Sequence, residues 1–192
     1  MFAVTVEPEV LEVDLAAGRV CCPGCHGPLS PWGFGREREL RMLHAVRSFR
    51  PRRSYCHACQ TTHVIVPAWS VPRRRDCAEV IGAALLAKAQ GDGHRKIAAR
   101  LGRPPATVRG WLRAFARRAE TVRSSALGWA RTIDARLESR ASGSSFAGAV
   151  DALGIAARAC RLSLRTPAGP WEVAVALTGG LLHGRPRDPP LL

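Results

Sequence analysis

The chain has 192 residues, enough for one ordinary domain or two small ones, and its formal net charge is +14. No run reaches the roughly 18 apolar residues that span a bilayer, and the first residues are acidic where a secretory signal would be basic. We therefore expect a cytoplasmic protein with no membrane contact. The seven cysteines, an odd number, favour free thiols or metal ligands over disulfides.

The positive charge is concentrated in the middle of the chain. Residues 41–119 contain 17 Lys or Arg against three Asp or Glu, and the flanking regions are nearly balanced. A genome rich in G and C explains why 27 of the 29 basic residues are Arg, but not why acids avoid the centre. This asymmetry predicts a surface that binds a polyanion.

Two C-x-x-C pairs, Cys22/Cys25 and Cys56/Cys59, follow a short stretch at 2–15 that alternates like one or two edge strands. The pairs are 30 residues apart, and four thiolates complete the tetrahedral shell of a structural zinc ion. Cys21 is an alternative to Cys22. With four cysteines available, we place His26, His57 and His63 outside the ligand set.

The residues between the two pairs predict two or three strands, and Thr61–Val66 predicts a further strand after them. Arginines alternate with aromatic residues here, which favours a strand surface that grips phosphates, although a solvated edge strand protected by charge explains the same pattern. The candidate DNA contacts in this segment are Arg47, Arg50, Arg52 and Arg53.

A basic linker, Arg73–Arg75, joins this module to the next and is a further candidate for DNA contact. Asp76 and Glu79 have the spacing of a capping box and predict a helix that ends at Gly91–Gly93.

The stretch 94–113, HRKIAARLGRPPATVRGWLR, predicts a helix-turn-helix. Small Ala98, Gly102 in the turn and Val108 packing back between the helices are the residues this geometry needs. The second helix should place its outer face in the major groove, with a start at Pro105 or a shifted start capped by Thr107. The expected DNA contacts are Arg95, Lys96, Arg103, Ala106, Thr107, Arg109, Gly110 and Arg113.

The C-terminal third is rich in Ala and weakly amphipathic. We expect the second helix of the motif to continue to about Arg140, a break at 142–148, and further helices from Val150 and from Trp171. This region could fold back on the central helices, form a dimer face, dock a catalytic partner or stay loosely ordered, and the tail 185–192 has no packing signal.

Residues 20–120 resemble the N-terminal DNA-binding region of bacterial insertion-sequence transposases. The resemblance rests on the CPGC knuckle, RRSYCHAC, TTHVIVPAW and HRKIAARLGRPPATVRGWL, in that order. More narrowly, the chain looks like short actinobacterial helix-turn-helix proteins that contain little beyond these two modules.

The complete transposases of this kind use three carboxylates on a strand-rich catalytic domain, and the present chain departs from that pattern. Its acids after the motif lie in segments that read as helix or tail: Glu120, Asp134, Glu138, Asp151, Glu172 and Asp188. Two-metal chemistry needs converging carboxylates. We therefore predict that the chain is not an enzyme.

The sequence as a whole predicts an α+β protein. Its parts are N-terminal strands with a zinc ribbon (1–70), a tri-helical helix-turn-helix domain (71–123) and C-terminal helices (124–192). We expect it to bind double-stranded DNA as a regulator or as a transposase-derived recognition module. The alternatives are a non-catalytic subunit or remnant of a recombinase, and an RNA-binding ribbon protein.

Overall fold

The N-terminal part of the protein contains a four-stranded sheet and a separate hairpin. The structure is a computed structural model, and it describes residues 2–4, 7–137 and 143–178. The strands are β1 (Phe2–Val4), β2 (Leu29–Phe34), β3 (Arg38–Arg41), β4 (Val46–Phe49), β5 (Arg52–Cys56) and β6 (Thr61–Pro67). The sheet order is β1-β6-β5-β2, with β1 parallel to β6 and the other pairs antiparallel, whereas β3 and β4 form a separate antiparallel pair. With the helices that follow, this confirms the α+β prediction.

The prediction of a second edge strand near residues 8–15 is wrong, because this segment is helix α1 (Pro8–Ala16). Pro8 occupies the first turn, where its missing N–H has no intrahelical partner to lose. Leu11 and Leu15, four residues apart, are buried, while Val10 and Val13 face outward. The apolar spacing was therefore helical, and α1 covers one face of the sheet beside β2.

Six further helices form the rest of the described chain: α2 (Ala78–Ala89), α3 (His94–Leu101), α4 (Pro105–Ala116), α5 (Ala119–Ile133), α6 (Ser145–Leu164) and α7 (Pro170–Leu177). The predicted single helix to about Arg140 is wrong, since the chain breaks at Arg117–Arg118 and α5 ends at Ile133. Helix α6 starts inside the predicted break, where the Ser144 hydroxyl accepts a hydrogen bond from the Ala147 N–H at 3.1 Å. Leu181 and the predicted tail 185–192 lie outside the described residues.

The predicted capping box of α2 is also absent. Cys77 is the N-cap residue and its side chain makes no capping bond. The Asp76 carboxylate instead accepts hydrogen bonds from the guanidinium groups of Arg41 and Arg103, in which donor and acceptor are both charged.

The C-terminal helices fold back onto the central ones. One apolar core contains side chains from α2 to α7 together with Val66 of β6 and Ala3 of β1. A second, smaller core lies between α1 and the sheet and includes Leu15, Leu29 and Ile65. Within the described residues, no helix is long and apolar enough to cross a membrane.

Candidate metal centre and nucleic-acid interface

Two similar turns present the C-x-x-C pairs. In each turn, the residue after the second cysteine has a left-handed backbone, His26 with φ 60° and Gln60 with φ 55°. In the first turn, the Cys22 N–H donates to the Gly27 carbonyl at 2.7 Å, and the Gly24 N–H points at the Cys22 sulfur at 3.4 Å. Backbone donors that point at sulfur stabilise a thiolate.

The two turns bring the ligand atoms of Cys22, Cys25, Cys56 and Cys59 within 4.8 Å of one another, and we call this group the four-cysteine cluster. The Sγ–Sγ distances are 3.7 Å for Cys22–Cys59 and 3.4 Å for Cys25–Cys56. Four sulfurs about 2.3 Å from a central ion would be separated by about 3.8 Å, so the cluster fits a tetrahedral metal. Cys22 and Cys56 are buried, and Cys25 and Cys59 are exposed.

The structure also separates the cluster from its alternative ligands. Cys21 is not part of it, and its sulfur lies 3.9 Å from the Arg19 carbonyl oxygen. His63 is buried with its Nε2 atom 3.2 Å from the Cys22 sulfur. His63 is therefore placed to hydrogen-bond to a ligand from outside the metal shell, whereas His26 and His57 are exposed.

Hydrogen bonds make the thiols unequal in acidity. The Gly27 N–H lowers the pKa of Cys25, but the Cys56 and Cys59 side chains outweigh it and raise that pKa to about 12. Hydrogen bonds from Thr61 and Cys25 lower the pKa of Cys59 to about 7. Thiol protons that take part in these hydrogen bonds would be displaced by a cation that binds all four thiolates.

The helix-turn-helix forms as its sequence predicts. The side chains that should pack inside are buried: Ile97, Ala98, Leu101, Val108, Trp111 and Leu112. Gly102 is left-handed with φ 61°, and Pro104 is the N-cap residue of α4, so the start of α4 is not shifted to Thr107.

The outer face of α4 carries Ala106, Arg109, Gly110 and Arg113, all exposed, and we call it the α4 outer face. Thr107 is half-buried at its edge. On the preceding helix, Arg95 and Lys96 are exposed, and Lys96 pairs with Asp92 at 2.7 Å. The α4 outer face itself contains no carboxylate.

Arg103 does not lie on this surface. Its side chain is only 10% exposed and donates from Nε to Asp76 at 2.5 Å and from Nη2 to the Met42 carbonyl at 2.7 Å. Arg41 of β3 donates to the other Asp76 oxygen at 2.6 Å. The donors of Arg103 therefore hold the turn of the motif against the β3–β4 hairpin, and its contact with DNA stays a prediction.

Arg52 is likewise used inside the protein. Its side chain is 10% exposed, and it donates to the Glu12 carboxylate at 2.8 Å and to the Gly33 carbonyl at 2.6 Å. Arg47 and Arg50 remain exposed, with the Arg47 guanidinium 4.4 Å from the centre of the Trp69 ring. Arg53 is half-buried.

The linker arginines also differ from one another. Arg73 and Arg75 are exposed, whereas Arg74 is half-buried, and burial lowers the pKa of its guanidinium. The linker is tied to the hairpin, since the Arg41 N–H donates to the Arg75 carbonyl at 2.8 Å. The sequence did not predict that this segment is attached to the hairpin, because an Asp just before a helix, here Asp76, is also typical of an ordinary N-cap.

Residues 79–123, which run from α2 into α5, match the family model of a homeodomain-like domain. This is a helix-turn-helix domain, and the match suggests DNA binding for that part of the chain. Neither a curated protein nor a solved structure matches the chain. The resemblance to transposases thus rests on the sequence motifs alone.

Proposed function

We propose that this protein binds double-stranded DNA through the α4 outer face, in the major groove. The observation that carries the proposal is the position of Arg109 and Arg113 on a face with no acid, on the second helix of a homeodomain-like domain. A second helix of this kind lies in the major groove with its outward face toward the base edges. The proposed role is a transcriptional regulator or a transposase-derived recognition module, acting in the cytoplasm.

The exposed arginines outside α4 would contact phosphates. Arg47 and Arg50 project from the β4 region, Arg73 and Arg75 from the linker, and Arg95 from α3. Phosphate contacts supply affinity that depends on salt, and they fix the orientation of the protein without reading sequence. Arg52 and Arg103 are left out of this set because their donors are used within the protein.

The four-cysteine cluster would hold zinc in a structural role. Four thiolates complete a tetrahedral shell, which leaves no position for the water that a catalytic zinc needs. Metal analysis should find one equivalent of zinc, which Cys25→Ser removes and Cys21→Ser leaves in place. Among the described residues, this cluster is the one group of His, Cys, Asp or Glu side chains with the geometry of a metal site.

The alternative of a subunit that docks a catalytic partner through its C-terminal helices is less well supported. The apolar faces of α6 and α7 are used in the core, where Leu153, Ala156, Val173 and Val175 are buried. A regulator or recognition module needs no such free face.

The test is a selection from a random duplex library at near-physiological salt, with zinc-loaded protein, followed by titration of the enriched site. Arg109→Ala/Arg113→Ala should lose about 1–3 kcal/mol of discrimination for each bidentate base contact. The matched control is Arg158→Ala/Arg161→Ala, two exposed arginines of α6 that make the same change in charge. An equal loss in both variants, or no enriched site, would contradict a reading role for α4.

A further inference from the structure

The face of the sheet away from α1 carries a row of aromatic rings at the β2 edge. Trp32 of β2 stacks on Tyr55 of β5, with ring centroids 5.0 Å apart and an interplanar angle of 30°. His57 continues the row, its ring edge-on to Tyr55 at 4.9 Å. We call these three residues the aromatic platform.

The rings of the platform are not part of an apolar core. Trp32 is 51% exposed, and neither Trp32 nor Tyr55 belongs to either of the two apolar cores. Along β5, Ser54 and Cys56 point to the buried side of the sheet, whereas Arg53 and Tyr55 point to the other. The platform therefore occupies the side of the sheet away from the smaller core, where Trp32 is exposed and Tyr55 is half-buried.

One arginine lies beside the platform on the same face. Arg53 shares the face of Tyr55 on β5, and no hydrogen bond or ion pair with another described residue occupies its guanidinium. Phe34 and Arg52 lie on the opposite face of the sheet, because they pair across β2 and β5 and Arg52 has the alternation of Ser54 and Cys56. Arg52 is paired there with Glu12 of α1.

Accessible aromatic faces beside arginines are the chemistry that binds unpaired bases, because every base has a stacking face and every nucleotide a phosphate. A partner recognised by apolar contact would leave Arg53 unused. A duplex cannot use the rings, since its bases are already stacked on each other.

We propose that the aromatic platform binds single-stranded DNA. The inference rests on the proposed function, in which α4 holds a duplex, and it adds a second site where an unpaired base stacks on Trp32, the exposed ring of the platform, with Arg53 on the phosphates of that strand. The occupant is DNA because the same chain carries a domain of a DNA-binding class.

The experiment measures binding of the full-length, zinc-loaded protein to a fluorescent oligo-dT by anisotropy at near-physiological salt. Trp32→Ala and Trp32→Leu should weaken this binding about 5-fold to 100-fold, the range expected for one lost base stack, whereas Trp32→Phe should retain most of it. Val46→Ala, at an exposed apolar residue of the neighbouring hairpin, is the control and should have no effect.

The comparison of Trp32→Leu with Trp32→Phe separates stacking from apolar contact, and bound zinc verifies that each variant has kept its ribbon. Equal oligo-dT affinity of wild type and Trp32→Leu would overturn the proposal, as would equal losses in the Leu and Phe variants. Tighter binding of oligo-U than of oligo-dT would overturn the choice of DNA.

The platform and the α4 outer face can be tested independently of each other. Trp32→Leu should leave affinity for the selected duplex unchanged, and Arg109→Ala/Arg113→Ala should leave oligo-dT affinity within about 2-fold, since the base-reading arginines lie on α4 and the platform on the sheet. A selected duplex without oligo-dT binding would retain α4 as a reader and remove the platform as a site.

Discussion

At the scale of single residues, Gly82 shows how the C-terminal region packs against the helix-turn-helix domain. Gly82 lies inside α2, where a glycine costs about 1 kcal/mol relative to alanine. The space that a Cβ would occupy is taken by the indole ring of Trp171, from the first turn of α7. The missing side chain therefore allows α7 to pack closely on α2.

Gly82→Ala should accordingly destabilise the protein in spite of its better helix propensity. A Cβ would overlap Cγ, Cδ2 and Cε2 of Trp171, and overpacking of a core typically costs about 1–3 kcal/mol. Denaturant unfolding followed by circular dichroism would measure the change. The control is Gly128→Ala at an exposed position of α5, where a Cβ meets no atom and should add about 0.5–1 kcal/mol of stability. Gains of similar size at both glycines would show that α7 does not pack on α2 as described.

At the scale of secondary-structure elements, Asp76 links three segments that are distant in sequence. Its side chain is 3% exposed and lies between Arg41 of β3 and Arg103 of the turn between α3 and α4. The Arg103 guanidinium also binds the Met42 carbonyl, just after β3. The hairpin and the helix-turn-helix are therefore held together by one buried carboxylate.

Asp76→Ala should lower the free energy of unfolding by about 3 kcal/mol, because it leaves the largely buried Arg103 without its counter-charge. Asp92→Ala, which removes the pairs with Lys96 and Arg100 at the surface, should lower it much less. Thermal unfolding at constant zinc loading would compare the two. A smaller loss for Asp76→Ala than for Asp92→Ala would contradict the structural role of Asp76.

At the scale of the whole molecule, the two apolar cores depend on different features. The smaller core contains Cys22 and Cys56, so its packing is continuous with the four-cysteine cluster. The larger core consists mainly of helical side chains and contains no residue of the cluster. Loss of a bound metal should therefore affect the two parts unequally.

Chelation of the metal should remove hydrogen-exchange protection from the amides of β2 and β5 while those of α2 and α6 remain protected. Metal-binding free energy is folding free energy for the segment whose ligands it joins. Exchange measured by mass spectrometry, with and without chelator, would detect the difference. Cys25→Ser should reproduce the effect of chelation and Cys21→Ser should not. Unchanged protection of β5 after complete metal removal would contradict this dependence.

Much of this architecture was predictable because the signals are local. The helices α3 and α4 follow from apolar residues at helical spacing around Gly102, and the four-cysteine cluster follows from two C-x-x-C turns. The helical character of 8–16 was missed because Val10, Leu11 and Val13 fit a strand pattern as readily as a helix, and only the burial of Leu11 and Leu15 against the sheet decides between them.

The sequence by itself determined the two modules and their order, since turn geometry, helix periodicity and ligand spacing are properties of neighbouring residues. The tertiary structure alone decided which arginines are engaged by other side chains within the protein. Arg52 and Arg103 look like Arg50 and Arg109 in the sequence, but Glu12 and Asp76, both far along the chain, engage them. Whether a charged side chain is engaged within the protein depends on these distant partners, and the local sequence pattern carries no information about them.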